Sequence, residues 1–539
     1  MVLRNPDLRR LQLAWLGASL SIWAFAIALG VYAFDVGGAT AVGVAALVRL
    51  LPGALASPLA GLLGDRYARR SVLLASALGA TAVLACATAA AALGAPAGIV
   101  FALAGLFTVA VSPYVPAEGA LMPAVARTPQ ELSAANVAHS VVDNLGFLAG
   151  SVMAGILLTA ASPEVVFALA AAAGGVSAAL LVGLGRDRRP EYAASPAAAG
   201  VLAETAEGAR ALLADRKIRL VGAGLTMLLF FEGAADVLVV ILAIDLLGLD
   251  QGSVGYLNAT WGIGALLGGV ALALLLERGQ LANGLVLGSL LAGASMALPA
   301  VWVVAAAAYI AWLGIGIGYT FVEVAARTLL QRLGSDETLA RALGFLETGR
   351  LGAMALGSIA VPGLIALVGI EGALIAVGAA LPGFALLRWS ALRDLEIGAP
   401  VEEGRYRLLR GNPIFAPLPM DTIERLSHDL VPLRAAAGDQ IVTQGDPGDR
   451  FYLIEAGRVE VFQEGAYRRD QSKGDGFGEI ALLKDVPRTA TVRAARDCHL
   501  LALDRVRFIS AVTGHRRSQE AADSVVEQRL TGPAETRSD

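Results

Sequence analysis

The feature that most constrains this chain is a series of apolar runs, each long enough to cross a bilayer, separated by breaks of alternating charge. A helix needs roughly 20 apolar residues to span the hydrocarbon core. Splitting the chain at charged, Pro-rich or Gly-rich breaks gives twelve such runs, centred near Trp23, Leu51, Leu84, Leu106, Ala149, Gly174, Glu232, Gly264, Leu291, Ala311, Ala355 and Gly378. Backbone polar groups cannot be left unpaired in lipid, so these runs must be helices rather than open strands.

The breaks fix an orientation. Those at 36–39, 94–98, 162–164, 245–253, 298–300 and 368–372 contain no Lys or Arg. The alternate breaks carry Arg66, Arg69 and Arg70; Arg127; Arg186 through Lys217; Arg278; and Arg327, Arg332 and Arg341. Basic loops stay on the cytoplasmic side, so both termini are expected there, in a cell (inner or plasma) membrane. The apolar stretch after the basic start is too long for a signal peptide's core and is read as a retained first helix.

Only 16% of the 539 residues are charged, against about 25% in a soluble protein. The average hides a division, because the sequence beyond Leu392 has ordinary soluble composition. We therefore expect a membrane domain over 1–391, with halves 1–185 and 218–391 joined by a cytoplasmic loop 186–217. A charged linker over 392–411 and a soluble domain over 412–530 follow. A net charge of −4 gives no reason to expect nucleic acid as a partner. Cys86 and Cys498 stand alone, so neither a disulfide nor a metal site is expected. No phosphate-binding ATPase loop and no nucleophile–base pair of known spacing occurs, so we expect no enzyme and no cofactor.

The halves echo each other at a shift of about 205 residues. Tyr114-Val-Pro-Ala-Glu118 corresponds to Tyr319-Thr-Phe-Val-Glu323, and Leu145-Gly146 to Leu351-Gly352. Such a 6+6 pseudo-symmetric duplication predicts a binding site near the midplane between halves. The loop Gly61-Leu-Leu-Gly-Asp65-Arg66-Tyr-Ala-Arg69-Arg70 resembles the signature G-x-x-x-D-R-x-G-R-R/K of the major facilitator superfamily, with Ala68 in place of the second Gly. The resemblance covers about 1–395 and implies a secondary transporter of small molecules. Asn5-Pro6-x-Leu-Arg-Arg-Leu and Glu131-Leu-x-x-Ala-Asn136 resemble the drug-efflux branch that includes macrolide exporters.

Charged groups at membrane depth cost at least about 2.5–3.5 kcal/mol each on insertion scales, so each needs a purpose. Glu232 and Asp236 lie four apart on one helix face, where two carboxylates repel unless one holds a proton. They suit proton coupling, a cationic substrate, or pairing with Arg49. His139 and Asp143 share a face and suit either a proton relay or a hydrogen-bonded seam. Asp35, at an outer helix end, suits proton coupling or simple solvation. Gly61, Asp65, Arg66 and Arg69, with Glu118, Glu323, Arg327, Glu347 and Arg350, are expected to latch the cytoplasmic side. Within that set Glu323–Arg327 and Glu347–Arg350 have the spacing of intrahelical pairs.

The soluble region opens with polar helical segments ending near Asp429. Short β-runs follow at 440–443, 451–454, 459–463, 491–494 and 500–503, divided by Gly and Asp turns. This predicts a small antiparallel β-roll with flanking helices. Within it, Gly476-Phe-Gly478-Glu479-Ile480-Ala481-Leu-Leu-Lys-Asp-Val-Pro-Arg488-Thr489-Ala490 looks like the phosphate-binding cassette of cyclic-nucleotide-binding domains. The resemblance covers about 412–515. It implies Arg488 as phosphate ligand, Glu479 as ribose ligand, backbone amides from Ala481 and Thr489, and cAMP or cGMP as regulatory ligand. The helical tail 504–530 is expected to close over the base, and too little chain follows it for a helix-turn-helix.

The sequence thus predicts a proton-coupled exporter of small amphipathic molecules under nucleotide control, monomeric or dimeric. A non-transporting membrane sensor and a nutrient or lysolipid importer are the rival readings.

Overall fold

In the computed structural model the described residues are 5–185, 207–210, 212–276, 281–333, 336–392 and 403–531. The loop 186–217 therefore lies largely outside them, as do Glu277, Arg278 and most of the linker. Contacts divide the chain into two units, 1–396 and 397–539.

The first unit is all helix. In chain order it contains α1 (Pro6–Arg66), α2 (Arg69–Ala92), α3 (Ala97–Val111), α4 (Tyr114–Val125), α5 (Pro129–Ala160) and α6 (Pro163–Val182). The second half supplies α7 (Arg216–Ile241), α8 (Gly252–Leu276), α9 (Leu281–Val301), α10 (Ala305–Leu333) and α11 (Asp336–Leu387). Among the described residues, nine helical segments are long and apolar enough to cross a membrane. Two of these segments are pairs joined without a loop. In α1 the join is Gly37-Gly38, with Gly38 at φ 58°, and in α11 it is Gly369 at φ 76°. Only glycine adopts such conformations cheaply, and both joins fall in breaks that lack Lys and Arg. Every one of the twelve expected run centres lies on a helix.

Small residues let these helices touch. A side chain at Gly233 would overlap the Met354 carbonyl, and one at Gly357 the Phe230 carbonyl. The Ser358 hydroxyl donates to the Gly233 carbonyl at 2.9 Å across the same seam. Lipid gives apolar helices no reason to associate, so backbone proximity and interhelical hydrogen bonds must do it. This seam holds α7 against α11 and thereby fixes Glu232, the neighbour of Gly233.

The second unit is a β-roll of two four-stranded antiparallel sheets. The strands are β1 (Val431–Ala435), β2 (Gln440–Val442), β3 (Arg450–Ala456), β4 (Arg458–Gln463), β5 (Ala466–Ser472), β6 (Gly476–Phe477), β7 (Thr491–Ala494) and β8 (Cys498–Asp504). Their orders are β1-β8-β3-β6 and β2-β7-β4-β5. Pro432 sits in β1, an edge strand, where a missing donor is tolerated. Helices α12 (Glu403–Gly411), α13 (Met420–Asp429), α14 (Glu479–Leu483), α15 (Arg505–Thr513) and α16 (Arg516–Thr531) flank the sheets. Residues 403–411, which the sequence suggests as linker, are helical and bury Leu409 beside Phe415 and Phe451. Phe451 and Phe508 stack at 4.8 Å and seat α15 on β3.

Candidate functional site

Two sites emerge, one in each unit. The first is a cavity of about 530 Å³ between the halves of the helical unit. Trp23, Asp143, Asn144 and Phe147 line it from the first half. Glu232, Asp236, Asn258, Trp261, Tyr319, Glu323 and Arg350 are among those lining it from the second. Its wall thus carries four carboxylates against one guanidinium.

Glu232 is buried and receives a hydrogen bond from the Tyr319 hydroxyl at 2.8 Å, while Arg350 approaches its other oxygen at 3.7 Å. Asp236, one turn on, faces Arg49 at 3.9 Å. Arg49 belongs to the first half and Asp236 to the second, so this ion pair bridges the halves. The expected intrahelical pairing of Glu347 with Arg350 is corrected: Arg350 serves Glu232, and Glu347 is taken by Arg327 at 2.7 Å. The buried carboxylate gains more from a guanidinium than the half-exposed Glu347 does. Glu323 pairs with Arg327 at 3.3 Å, as its spacing suggests.

The other expected residues are dispersed. Asp35 accepts from the Gln251 side-chain amide at 3.0 and 2.9 Å, away from the cavity lining. Asp143 receives a long contact from the Ser19 hydroxyl at 3.5 Å. His139 lies 3.3 Å from Glu118 and is stacked on Trp15. Glu118 has no guanidinium partner among the described residues, unlike the latch pairs it was grouped with. The side chains of Gly61, Asp65 and Arg66 lie outside the described residues, and Arg69 is partnered.

The second site lies in the roll. Its lining includes Gly478, Glu479, Ile480, Ala481, Arg488, Thr489 and Ala490, so the cassette residues converge on one pocket. Gly478, at φ 93°, turns β6 into the N-terminus of α14. A Cβ there would also crowd the Arg450 carbonyl, so both conformation and space require glycine. Arg488 is only 5% exposed. It donates to the Gly478 carbonyl at 3.1 Å, the Arg450 carbonyl at 2.8 Å and the Asp449 carboxylate at 3.2 Å. Asp449 is largely exposed, so among the described residues Arg488 has no buried counter-ion. A guanidinium held this way is ready for an anion with paired oxygens.

Glu479 is buried, and Arg529 of α16 reaches it at 2.7 Å while also donating to the Gly476 carbonyl at 2.7 Å. Among the described residues Glu479 Oε2 has no hydrogen-bond partner, which leaves an acceptor open to a hydroxyl. Sequence reasoning missed Arg529, fifty residues away in a tail rich in Arg. Its only signal was its place in the last turn of an amphipathic helix. Arg469 and Gln471 of β5 also line the pocket, on a strand too polar to be foreseen. Burial raises the Tyr452 hydroxyl above its ordinary value, with Asp449 adding to the effect, so its ring stays neutral beneath Arg488 at 5.8 Å.

Residues 13–358 match the sequence model of the Major Facilitator Superfamily, and residues 432–515 that of the cyclic nucleotide-binding domain. The chain belongs to the Major Facilitator Superfamily: it is a multi-pass membrane protein with a cyclic nucleotide-binding domain fused at its C-terminal side. Its helical unit is similar to the nucleoside transporter NupG, with a TM-score of 0.57, 14% identity, and coverage of 72% of this chain and 99% of that one. A POT family transporter in complex with a thioalcohol conjugated peptide gives a TM-score of 0.58 at 13% identity, covering 72% and 96%. These likenesses show the fold. The roll is 35% identical over 119 residues to the cAMP-dependent protein kinase regulatory subunit of Yarrowia lipolytica, covering 22% of this chain. This chain spans 32% of that relative's length.

Proposed function

We propose that this protein is a proton-coupled secondary transporter of the drug-efflux type, exporting small amphipathic molecules, whose conformational equilibrium is biased by cyclic nucleotide. The domain responsible is 412–530, and the membrane one 1–391, in a cell membrane with both termini cytoplasmic. Arg488 is the phosphate ligand, Glu479 takes the ribose 2′-hydroxyl, and the amides of Ala481 and Thr489 complete the anion site. Backbone N–H groups at the start of α14 add partial positive charge. The ligand is cAMP or cGMP; the Thr489 hydroxyl suits either a phosphate oxygen or a guanine base.

The observation that carries this reading is Arg488, buried yet held, among the described residues, by two main-chain carbonyls, an exposed carboxylate and the Tyr452 ring face. In the membrane cavity the carboxylates of Glu232 and Asp236, and Asp143 with no guanidinium partner among the described residues, lie beside Trp23, Phe147, Trp261 and Tyr319. They support a site for protons and for amphipathic, cation-tolerant cargo. Regulation requires that nucleotide bind the two transport states with different affinity, since equal affinity shifts nothing. A tenfold difference supplies about 1.4 kcal/mol.

The test is calorimetry on the purified full-length protein, titrated with cAMP and then cGMP. Saturable binding that Arg488→Ala removes supports the proposal. A folded protein giving no heat with either nucleotide would sink it.

A further inference from the structure

Glu118 is the anomaly of the first half. It sits on α4, 1% exposed, and among the described residues its carboxylate has no polar partner but His139. Its one ionisable neighbour within ion-pair distance among the described residues is His139 of α5, whose Nδ1 lies 3.3 Å from Oε1. The His139 ring is stacked on Trp15 of α1 at 5.3 Å, and Trp15 in turn packs on Tyr114 at 5.4 Å.

Among the described residues the surroundings offer no other answer to the charge. From α4 itself comes Tyr114, whose hydroxyl lies 3.3 Å from that of Ser177. Helix α2 brings Arg70, which donates to the Leu181 and Val182 carbonyls, and Arg69, which is partnered. From α1, Arg10 is spent on the Gly183 carbonyl. Helix α5 adds Asp143, a further negative charge one turn beyond His139. An unpaired carboxylate in such a place is costly. The pair is neutral only when it holds one proton, either as carboxylate with imidazolium or as carboxylic acid with imidazole.

We infer that Glu118 and His139 form a protonation site, separate from the Glu232–Asp236 cavity, in which the imidazole hands a proton to a sealed carboxylate. Glu118 is sealed, whereas His139 is 28% exposed and shares a helix face with Asp143, which lines the cavity. A proton arrives on Nε2 of the neutral imidazole. The Nδ1 proton then passes to Glu118 Oε1, and the ring is left neutral with its hydrogen on Nε2. One proton enters and one is stored. This deepens the proton-coupled reading, on which its role in transport rests, and replaces a latch role for Glu118.

The Trp15 stack supplies the test, because a protonated imidazole quenches an indole stacked on it. Tryptophan emission of the full-length protein in detergent is followed from about pH 9 to pH 5. Because the stored proton leaves the ring neutral, we expect little quenching in the wild type while Glu118 fills. In Glu118→Gln, where the imidazole keeps its proton, we expect a quenching step, at most the share of one among six tryptophans. That step vanishes when Trp15→Phe is added. The same step in the wild type and in Glu118→Gln, or one that survives Trp15→Phe, overturns the inference. Infrared difference spectra on the wild type give a second reading: the carbonyl stretch of a carboxylic acid that titrates in this range must disappear in Glu118→Gln and persist in Glu232→Gln. Its persistence in Glu118→Gln overturns the proposal as well. Neither readout needs a transported substrate, so failure of proton-coupled export leaves the site standing, and the reverse holds too.

Discussion

Arg350 and Arg488 are both set in the walls of candidate sites, and their surroundings are opposite. Arg350 faces the buried carboxylate of Glu232, which Tyr319 also holds. Arg488 faces main-chain carbonyls and one exposed carboxylate. The cavity therefore answers its guanidinium from within the protein, whereas the nucleotide pocket leaves part of the answer to a ligand. A charge neutralised internally should cost stability when removed, and a charge held in reserve should cost binding.

The largest expected effect breaks the reserve. Arg488→Ala removes the guanidinium proposed to hold the cyclic phosphate, so affinity should fall about 100-fold or more, read by calorimetry. Its melting temperature should fall less than that of Arg350→Ala. Removing Arg350 strands Glu232 and should cost about 3 kcal/mol, the low end for a broken buried pair because the cavity wets one side. Adding Glu232→Gln to Arg350→Ala should regain much of that loss in a thermal melt. Tyr319→Phe deletes one hydrogen bond to the same carboxylate and should cost about 1.5 kcal/mol. A double-mutant cycle on Arg49 and Asp236 should give coupling of about 1 kcal/mol, as their single contact is long. Smallest for binding is Arg529→Ala, which leaves Glu479 in the pocket, so cyclic-nucleotide affinity should change less than tenfold; the melting temperature should still fall, because the buried Glu479 loses its 2.7 Å partner. Equal stability losses for Arg350→Ala and Arg488→Ala would erase the contrast.

Much of this architecture is legible in the sequence because lipid and tight turns impose strict demands. Apolar runs mark the helices, and Gly38 and Gly369 mark two joins where a loop is replaced by one unusual backbone angle. The cassette is legible because Gly478, Glu479 and Arg488 fall within eleven consecutive residues around α14, and all three line one pocket. What escapes depends on three-dimensional choice. Arg350 has two candidate carboxylates, and burial rather than spacing selects Glu232. Arg529 returns from a distant helix, and β5 carries Arg468, Arg469 and Asp470 where a strand pattern would ask for apolar residues. The repeat is instructive in the same way. Tyr114 and Glu118 are buried away from the cavity lining, whereas Tyr319 and Glu323 line it, so one duplicated motif now serves two environments.

The most direct test of nucleotide control is uptake of ethidium, as an amphipathic cation, into inside-out vesicles under a pH gradient, with and without saturating cyclic nucleotide. The account predicts a rate that nucleotide changes at least about twofold in the wild type and leaves unchanged in Arg488→Ala. Pumping at one rate with and without nucleotide, by a protein shown to bind it, would contradict the account.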